Sequence, residues 1–146
     1  LTNVIDAFLT DAGEYLRLVK SDQSNYRAHE KCADLYRLKS SSKWIFSIQP
    51  SIWKRETLIK VLRCNPDVDV WKLEVRSQKV MKKLRVQSYF AHRNGVKRGI
   101  HHYDSEIYPY IATAIGKGKW NLTEYGERLF PLFLAKGIDP SSRGWF

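Results

Sequence analysis

SIQPSIWKRETLIKVL, residues 47–62, stands where two kinds of apolar pattern meet, and it predicts how the middle of the chain folds. The run KWIFSIQ over residues 43–49 is typical of a β-strand, and Pro50 would end that strand because proline has no N–H to donate to a ladder. After Pro50, apolar residues recur at helical spacing, with Ser51 as the predicted N-cap. The stretch therefore predicts a strand followed directly by a helix.

Apolar periodicity predicts three further helices. Residues 1–9 place their apolar side chains on one face, with Thr2 or Asn3 as the N-cap, and residues 70–84 form an amphipathic helix with a basic outer face. Residues 121–137 give the clearest helical pattern of the chain.

The sequence at the start of the helix at residues 121–137 is a capping-box arrangement. Asn121 is the predicted cap, and Glu124 stands three residues later. Pro131 lies inside the pattern and predicts either a kink or a late start of the helix.

Strands are predicted around these helices from alternating and apolar runs. The serine run at residues 40–42 would allow its two neighbouring strands to pair as a hairpin, and the polar residues 21–30 are predicted to form a loop. We predict strands at residues 14–20, 34–39, 43–49 and 85–93. This order of elements predicts an α/β fold, with a mixed sheet flanked by helices.

Length and composition limit the class of protein. The 146 residues suit one domain with one core, and the net charge of +10 favours anionic partners. The two cysteines, Cys32 and Cys64, match no zinc spacing and no disulfide framework, so a reducing compartment is expected. No apolar run is long enough to span a membrane and no signal peptide is evident, which predicts a cytoplasmic protein. The first residue is Leu1, so a preceding segment can have been removed.

Glu74 is the strongest candidate for a catalytic residue. It follows Trp71 by three positions, so the two side chains share a face of the predicted helix. A carboxylate beside an indole is partly desolvated, which suits a general base. The alternative is an ordinary exposed glutamate beside a core tryptophan, and spacing alone favours that alternative.

Other polar motifs are weaker. Asp67 and Asp69 form a D-x-D that could hold a divalent cation, although a turn and a helix cap explain it better. His101, His102 and Asp104 suggest metal ligands, but adjacent strand histidines point to opposite faces, which favours a solvated loop. No phosphate-binding loop, H-E-x-x-H or G-x-S-x-G motif is present, and this removes several common enzyme classes.

Several short motifs follow one another along the chain. They are formed by Ser47, Gln49, Ile52, Trp53 and Lys54, then Trp71 and Glu74, then Gly118, Lys119 and Trp120, and finally Gly137, Ile138, Asp139 and Arg143. Their order resembles the acceptor-side, C-terminal half of GT-A-type glycosyltransferases, which use nucleotide sugars and occur in bacterial polysaccharide loci and large DNA viruses. That family shows S-x-Q-x-x-I-W-[KR], then W-x-x-E, then a late G-K-W and a closing G-I-D with a following arginine.

The resemblance implies a mechanism and a site. Glu74 would be the base for an inverting transfer from a nucleotide-sugar donor to a glycan hydroxyl, and Gln49, Trp53 and Trp71 would form the acceptor site. Apart from the resemblance, two lysines flanked by glycines could contact phosphate, or alternatively form a basic strand edge that discourages aggregation. They are Lys117 and Lys119 in the sequence GKGKW.

The resemblance also implies that part of such an enzyme lies outside this sequence. Residues 1–146 would be a single domain or half-domain, with the nucleotide-binding half and its acidic loop upstream of Leu1 or on a second chain. That loop would hold the divalent cation, Mn²⁺ or Mg²⁺, so no metal ligands are predicted within this chain.

Two other classes of function remain open from the sequence. A basic nucleic-acid-binding module would use the positive charge and the aromatic residues, but lysine and arginine are spread along the chain and no nucleic-acid motif appears. A carbohydrate-binding domain without turnover is the third interpretation.

Overall fold

The computed structural model of the protein describes residues 1–98 and 102–146, and it contains four helices and a central sheet. The helices are α1 Thr2–Thr10, α2 Arg55–Arg63, α3 Val70–Lys83 and α4 Leu122–Lys136. The central strands are β1 Tyr15–Arg17, β2 Tyr26–Ala28, β3 Leu35–Leu38, β4 Ser51–Trp53 and β5 Ser88–Ala91. Two short ribbons follow, formed by β6 Lys97–Arg98 with β7 His102–Tyr103, and by β8 Ile115–Gly116 with β9 Lys119–Trp120.

The five-stranded sheet is mixed. Its order is β2-β3-β5-β1-β4, and only β1 and β5 run parallel, while the other neighbours are antiparallel. Parallel neighbours need a long crossover, and here the connection from β1 to β5 includes β4, α2 and α3. The fold is therefore α/β with a mixed sheet flanked by helices, as predicted.

Alternate residues of the strands face two separate cores. On one face α1 packs over the sheet, and on the other face α2, α3 and the segment at residues 43–49 cover it. The α1 core consists of Val4, Phe8, Leu16, Leu18, Leu35, Tyr89 and Ala91. The opposite core consists of Tyr15, Leu38, Ile45, Phe46, Val61, Met81 and Phe90. A third, smaller cluster forms under α4 around Tyr125, Leu129 and Phe133.

Helices α1, α3 and α4 confirm the helices predicted from apolar periodicity, although two details at helix starts differ from the prediction. The Asn121 side chain accepts a hydrogen bond from the Glu124 N–H at 3.2 Å, so α4 begins where its cap predicts and runs through Pro131. A late start is therefore wrong. The N-cap of α1 is Leu1, with no side-chain bond, so the prediction of Thr2 or Asn3 as its cap is also wrong.

The predicted positions of the strand before Pro50 and of the helix after it are wrong. Residues 43–49 form no strand, whereas β4 lies just after the proline and pairs with β1 through Leu16↔Ile52 and Tyr15↔Trp53. Because this pairing holds residues 51–53 extended, α2 begins only at Arg55, and Ser51 is a strand residue instead of an N-cap.

The predicted hairpin of residues 34–39 with 43–49 is also wrong. β3 pairs with β5 on one side and with β2 on the other, and β2 lies inside the predicted loop at residues 21–30. Among the helices of the described residues, none is both long enough and apolar enough to cross a lipid bilayer.

Candidate functional site

The segment at residues 44–49 forms one wall of the site, and side chains replace the strand partner that its backbone lacks. The buried Gln78 of α3 supplies most of this replacement. Its Oε1 accepts from the N–H groups of Ile45 at 2.7 Å and Phe46 at 3.0 Å, and its Nε2 donates to the Phe46 carbonyl at 2.8 Å. One amide side chain thus satisfies three buried backbone groups, as a neighbouring strand would.

Tyr15 and Glu74 continue the same pattern along the segment. The Tyr15 hydroxyl donates to the Ser47 carbonyl at 3.0 Å and accepts from the Ser47 N–H at 3.1 Å. Glu74 Oε1 accepts from Ser47 Oγ at 2.9 Å and from the Ile48 N–H at 3.1 Å. Glu74 is therefore fixed through one carboxylate oxygen, and its second oxygen makes no hydrogen bond within the described residues.

A cavity of about 750 Å³ opens against this wall. It lies between the segment at residues 44–49, the first turns of α3 and residues 110–115, and its size falls in the range of small-molecule sites. Its lining includes Ser21, Asp22, Gln23, Trp44, Ser47, Ile48, Gln49, Trp71, Glu74, Val75, Tyr110 and Thr113. We call this cavity the Glu74 pocket.

Three of the predicted site residues meet in the Glu74 pocket. Gln49, Trp71 and Glu74 all line it, although Gln49 is distant from the other two in sequence. Trp71 is 76% exposed, so a large flat ring lines the cavity and remains open to solvent. An amphipathic ring in that position presents a stacking surface to a ligand.

Trp53, by contrast, belongs to the core and does not line the pocket. Its ring lies 4.2 Å from the Tyr15 ring and 5.8 Å from the Phe46 ring, between centroids, and its Nε1 donates to Ser51 Oγ. Its effect on the pocket is indirect, because it packs against the tyrosine that holds Ser47.

Lys117 and Lys119 lie on the β8–β9 ribbon and are exposed. Lys117 and Gly118 have φ angles of 50° and 80°, which match the tight hairpin turn between two short strands. Neither lysine lines the Glu74 pocket, but Ile115 at the start of the ribbon does.

Sequence reasoning missed Asp22 and Ser47 as pocket residues. Asp22 lies in a segment predicted as a plain loop, where it accepts from the Tyr103 hydroxyl at 2.8 Å and pairs with Lys97 Nζ at 2.6 Å. The sequence shows Ser47 only as part of a motif, because its hydrogen-bond partner Glu74 lies 27 residues away along the chain. No local pattern signals either contact.

A fully buried arginine lies next to the wall of the site. Arg17 donates through Nη2 to Ser24 Oγ at 2.8 Å, while its Nε and Nη1 have no hydrogen-bond partner within the described residues. Burial lowers the pKa of Arg17. The nearby Tyr15 and Glu74 side chains, which are negative when ionised, oppose that lowering. Arg17 therefore interacts electrostatically with Glu74, the carboxylate that lines the pocket.

Burial also raises the pKa of Tyr15, to about 12, and this predicts alkaline destabilisation. The unfolded chain releases the phenol proton near pH 10 and the folded chain only near pH 12, so stability is lost as pH rises between those values. The loss amounts to roughly 3 kcal/mol. In urea unfolding, Tyr15→Phe should be less stable than the wild type at pH 8, and the difference should shrink from pH 10 to 12. A difference that stays constant over that range would contradict the assignment.

Among the described residues, the acidic motifs do not build a metal centre. The Asp69 side chain caps α3 by accepting from the Lys72 N–H at 2.9 Å, which is the helix-cap alternative given for the D-x-D motif. The same carboxylate also forms an ion pair with Lys72 Nζ. His101 and the side chain of His102 lie outside the described residues, and Asp104 pairs with Arg98. Within the described part of the chain, no group of three or more histidine, cysteine, aspartate or glutamate side chains is placed to hold a metal ion.

Comparison of the chain with protein-family models gave no match, and neither did comparison with curated proteins or with solved structures. The resemblance to GT-A glycosyltransferases therefore stays a prediction, and the case for a function depends on the geometry of the Glu74 pocket.

Proposed function

We propose that the Glu74 pocket is the acceptor site of a nucleotide-sugar-dependent glycosyltransferase. One observation carries the proposal: a glutamate with a fixed side chain, an exposed tryptophan and a glutamine converge on one cavity of about 750 Å³. Carbohydrate sites combine an aromatic surface for the C–H face of a sugar ring with polar groups for its hydroxyls. Trp71 supplies the surface, and Gln49 and Glu74 supply the polar groups.

Glu74 is the general base in this proposal. Its Oε1 is occupied by Ser47 and Ile48, which leaves Oε2 to accept the proton of an acceptor hydroxyl. As that proton moves to Glu74, the hydroxyl oxygen forms a bond to the anomeric carbon, and the bond to the nucleoside diphosphate breaks with its electron pair leaving on the phosphate. A single displacement of this kind inverts the anomeric configuration.

Asp22 is the other carboxylate of the pocket, but it is less suited to accept the proton. Both of its oxygens are engaged, Oδ2 with Lys97 Nζ at 2.6 Å and Oδ1 with the Tyr103 hydroxyl at 2.8 Å. We therefore assign proton transfer to Glu74 and a structural or hydroxyl-binding part to Asp22.

The donor side of the reaction is not built by the described residues. A divalent cation, Mn²⁺ or Mg²⁺, would stabilise the diphosphate leaving group when bound. The described side chains do not form a set of ligands that fits such a cation. In the proposal its ligands belong to a nucleotide-binding half outside this chain or to a partner chain. Lys117 and Lys119 follow closely after Ile115, which lines the pocket, and in the proposal they contact the donor phosphates.

The free thiols fit a cytoplasmic reaction. Cys32 and Cys64 form no disulfide, which is the usual state of cysteines in a reducing compartment.

Sugar transfer by the wild type and by Glu74→Gln, both expressed from the complete gene, tests this function. Nucleoside diphosphate release that depends on a glycan acceptor supports the proposal. Glycan binding without any transfer, unchanged in Glu74→Gln, would instead show a carbohydrate-binding domain without turnover.

A further inference from the structure

A second cavity, of about 490 Å³, lies where β2, β3 and β5 meet the C-terminal end of α3. Five stretches line it: Arg27 on β2, residues 37–41 at the end of β3, Ile45, residues 81–82 of α3, and residues 85–88 leading into β5. We call it the basic groove. It shares no lining residue with the Glu74 pocket.

The basic groove is strongly and uniformly positive. Its charged lining residues are Arg27, Arg37, Lys39, Lys82 and Arg85, and its lining contains no aspartate or glutamate. None of these five side chains forms an ion pair with another described residue. The described residues form eight ion pairs elsewhere. The fold thus gathers cations here without supplying their counter-ions.

Two of these cations face each other across a strand pair. Arg27 and Arg37 are directly opposite in the antiparallel β2–β3 register, and like charges in that position destabilise a sheet. Arg37 donates to Gln87 Oε1 and lies 5.9 Å from the Tyr89 ring centroid, so neutral groups hold it in place. An anion bound between the two arginines would relieve their repulsion.

The carboxylates near the groove are committed to other partners. Asp11 accepts from the Tyr89 hydroxyl and from His29 Nε2, each through Oδ2. Glu14 accepts from Thr57 Oγ1 and from the Gln87 N–H. Neither carboxylate lines the groove.

Arg85 occupies a backbone position that ordinarily favours glycine. It directly follows the C-cap of α3 with φ of 53°, and the adjacent Val86 N–H bonds back to the Met81 carbonyl. A glycine would make this turn without steric cost. The arginine instead puts a fifth cation into the groove.

We infer that the basic groove binds a compact anion that carries two or more phosphate groups. A single phosphate carries about −1.5 to −2 charges at neutral pH, which five cations exceed. A cavity of this size suits a small molecule. Nucleic acid would instead be expected to follow an extended basic track. Hydroxyls of Ser40 and Ser41 add neutral donors for phosphate oxygens. Binding here does not depend on sugar transfer at the Glu74 pocket.

Calorimetric titration with inorganic tripolyphosphate, pyrophosphate and orthophosphate tests this inference. We expect saturable binding in the order tripolyphosphate, pyrophosphate, orthophosphate, weakened by added salt because the contacts are ionic. Arg85→Gly should weaken tripolyphosphate binding at least about fivefold while leaving the melting temperature unchanged or higher. Arg27→Gln should weaken it similarly and remove the arginine repulsion.

Lys60→Gln is the matched control, since Lys60 is exposed on α2 and outside the groove. It removes the same charge and should change the affinity less than twofold. Three outcomes overturn the inference: no saturable binding of either polyphosphate, equal weakening by Lys60→Gln and Arg85→Gly, or tight binding of a single-stranded RNA that tripolyphosphate does not displace.

Discussion

Glu74→Gln is expected to lower the rate of sugar transfer by about 10²–10⁴-fold while changing acceptor binding by no more than a few-fold. The amide keeps an oxygen that can accept from Ser47 Oγ and the Ile48 N–H, so the wall of the pocket should hold its shape. The other side-chain atom becomes an amide nitrogen, which cannot take the proton of an acceptor hydroxyl. The measurement is acceptor-dependent release of nucleoside diphosphate by the protein expressed from the complete gene.

Ser47→Ala is the control for a purely structural effect of that change. It removes one of the two donors to Glu74 Oε1 and leaves the carboxylate in place, so its loss of rate should be much smaller. Equal losses in Ser47→Ala and Glu74→Gln would show that Glu74 acts only by holding the segment at residues 44–49.

Gln78→Ala is expected to destabilise the fold by about 3 kcal/mol or more. The change leaves the buried N–H groups of Ile45 and Phe46 and the Phe46 carbonyl without their partner, and each such group costs about 1–3 kcal/mol. Urea unfolding followed by tryptophan fluorescence measures the loss. Because the same bonds hold one wall of the Glu74 pocket, ligand binding there should weaken as well.

Two further variants separate the contributions of Gln78. Lys79→Ala changes the next, exposed residue of α3 and should alter stability by less than about 0.5 kcal/mol. Gln78→Glu keeps an acceptor for the two N–H groups but replaces the donor to the Phe46 and Glu74 carbonyls with a buried carboxylate oxygen, so its cost should be at least as large as that of Gln78→Ala. A loss below about 1 kcal/mol in Gln78→Ala would mean that water satisfies the segment.

Local chemistry explains which elements the sequence could predict. α3 and α4 follow from apolar periodicity and from side-chain caps, where Asp69 accepts from the Lys72 N–H and Asn121 from the Glu124 N–H. These signals lie within one helical turn, so a reader of the sequence can find them. The placement of Trp71 and Glu74 on one helix follows from the same periodicity.

The segment at residues 43–49 shows what local patterns cannot decide. Its apolar run fits a strand, yet its backbone bonds go to Gln78 and Tyr15, whose side chains are 32 or 33 residues away. Similarly, the polar stretch at residues 21–30 gives no local strand pattern for the three residues of β2. They form a strand because tertiary structure pairs them with β3. The motif predicts Trp53 at the site, whereas packing against the Tyr15 and Phe46 rings places it in the core.

Binding of an acceptor glycan to Trp71→Ala and to Trp145→Ala tests the central claim most directly, since that claim makes the Glu74 pocket a carbohydrate site. A panel of oligosaccharides identifies a glycan for the wild type, and calorimetry then compares the variants. Trp145 is the matched control because it is 54% exposed and lies outside the pocket. We predict that Trp71→Ala weakens binding about tenfold or more, a loss of about 1.4 kcal/mol, while Trp145→Ala changes it less than twofold. Equal affinities for both variants, or no glycan bound by the wild type, would contradict the account.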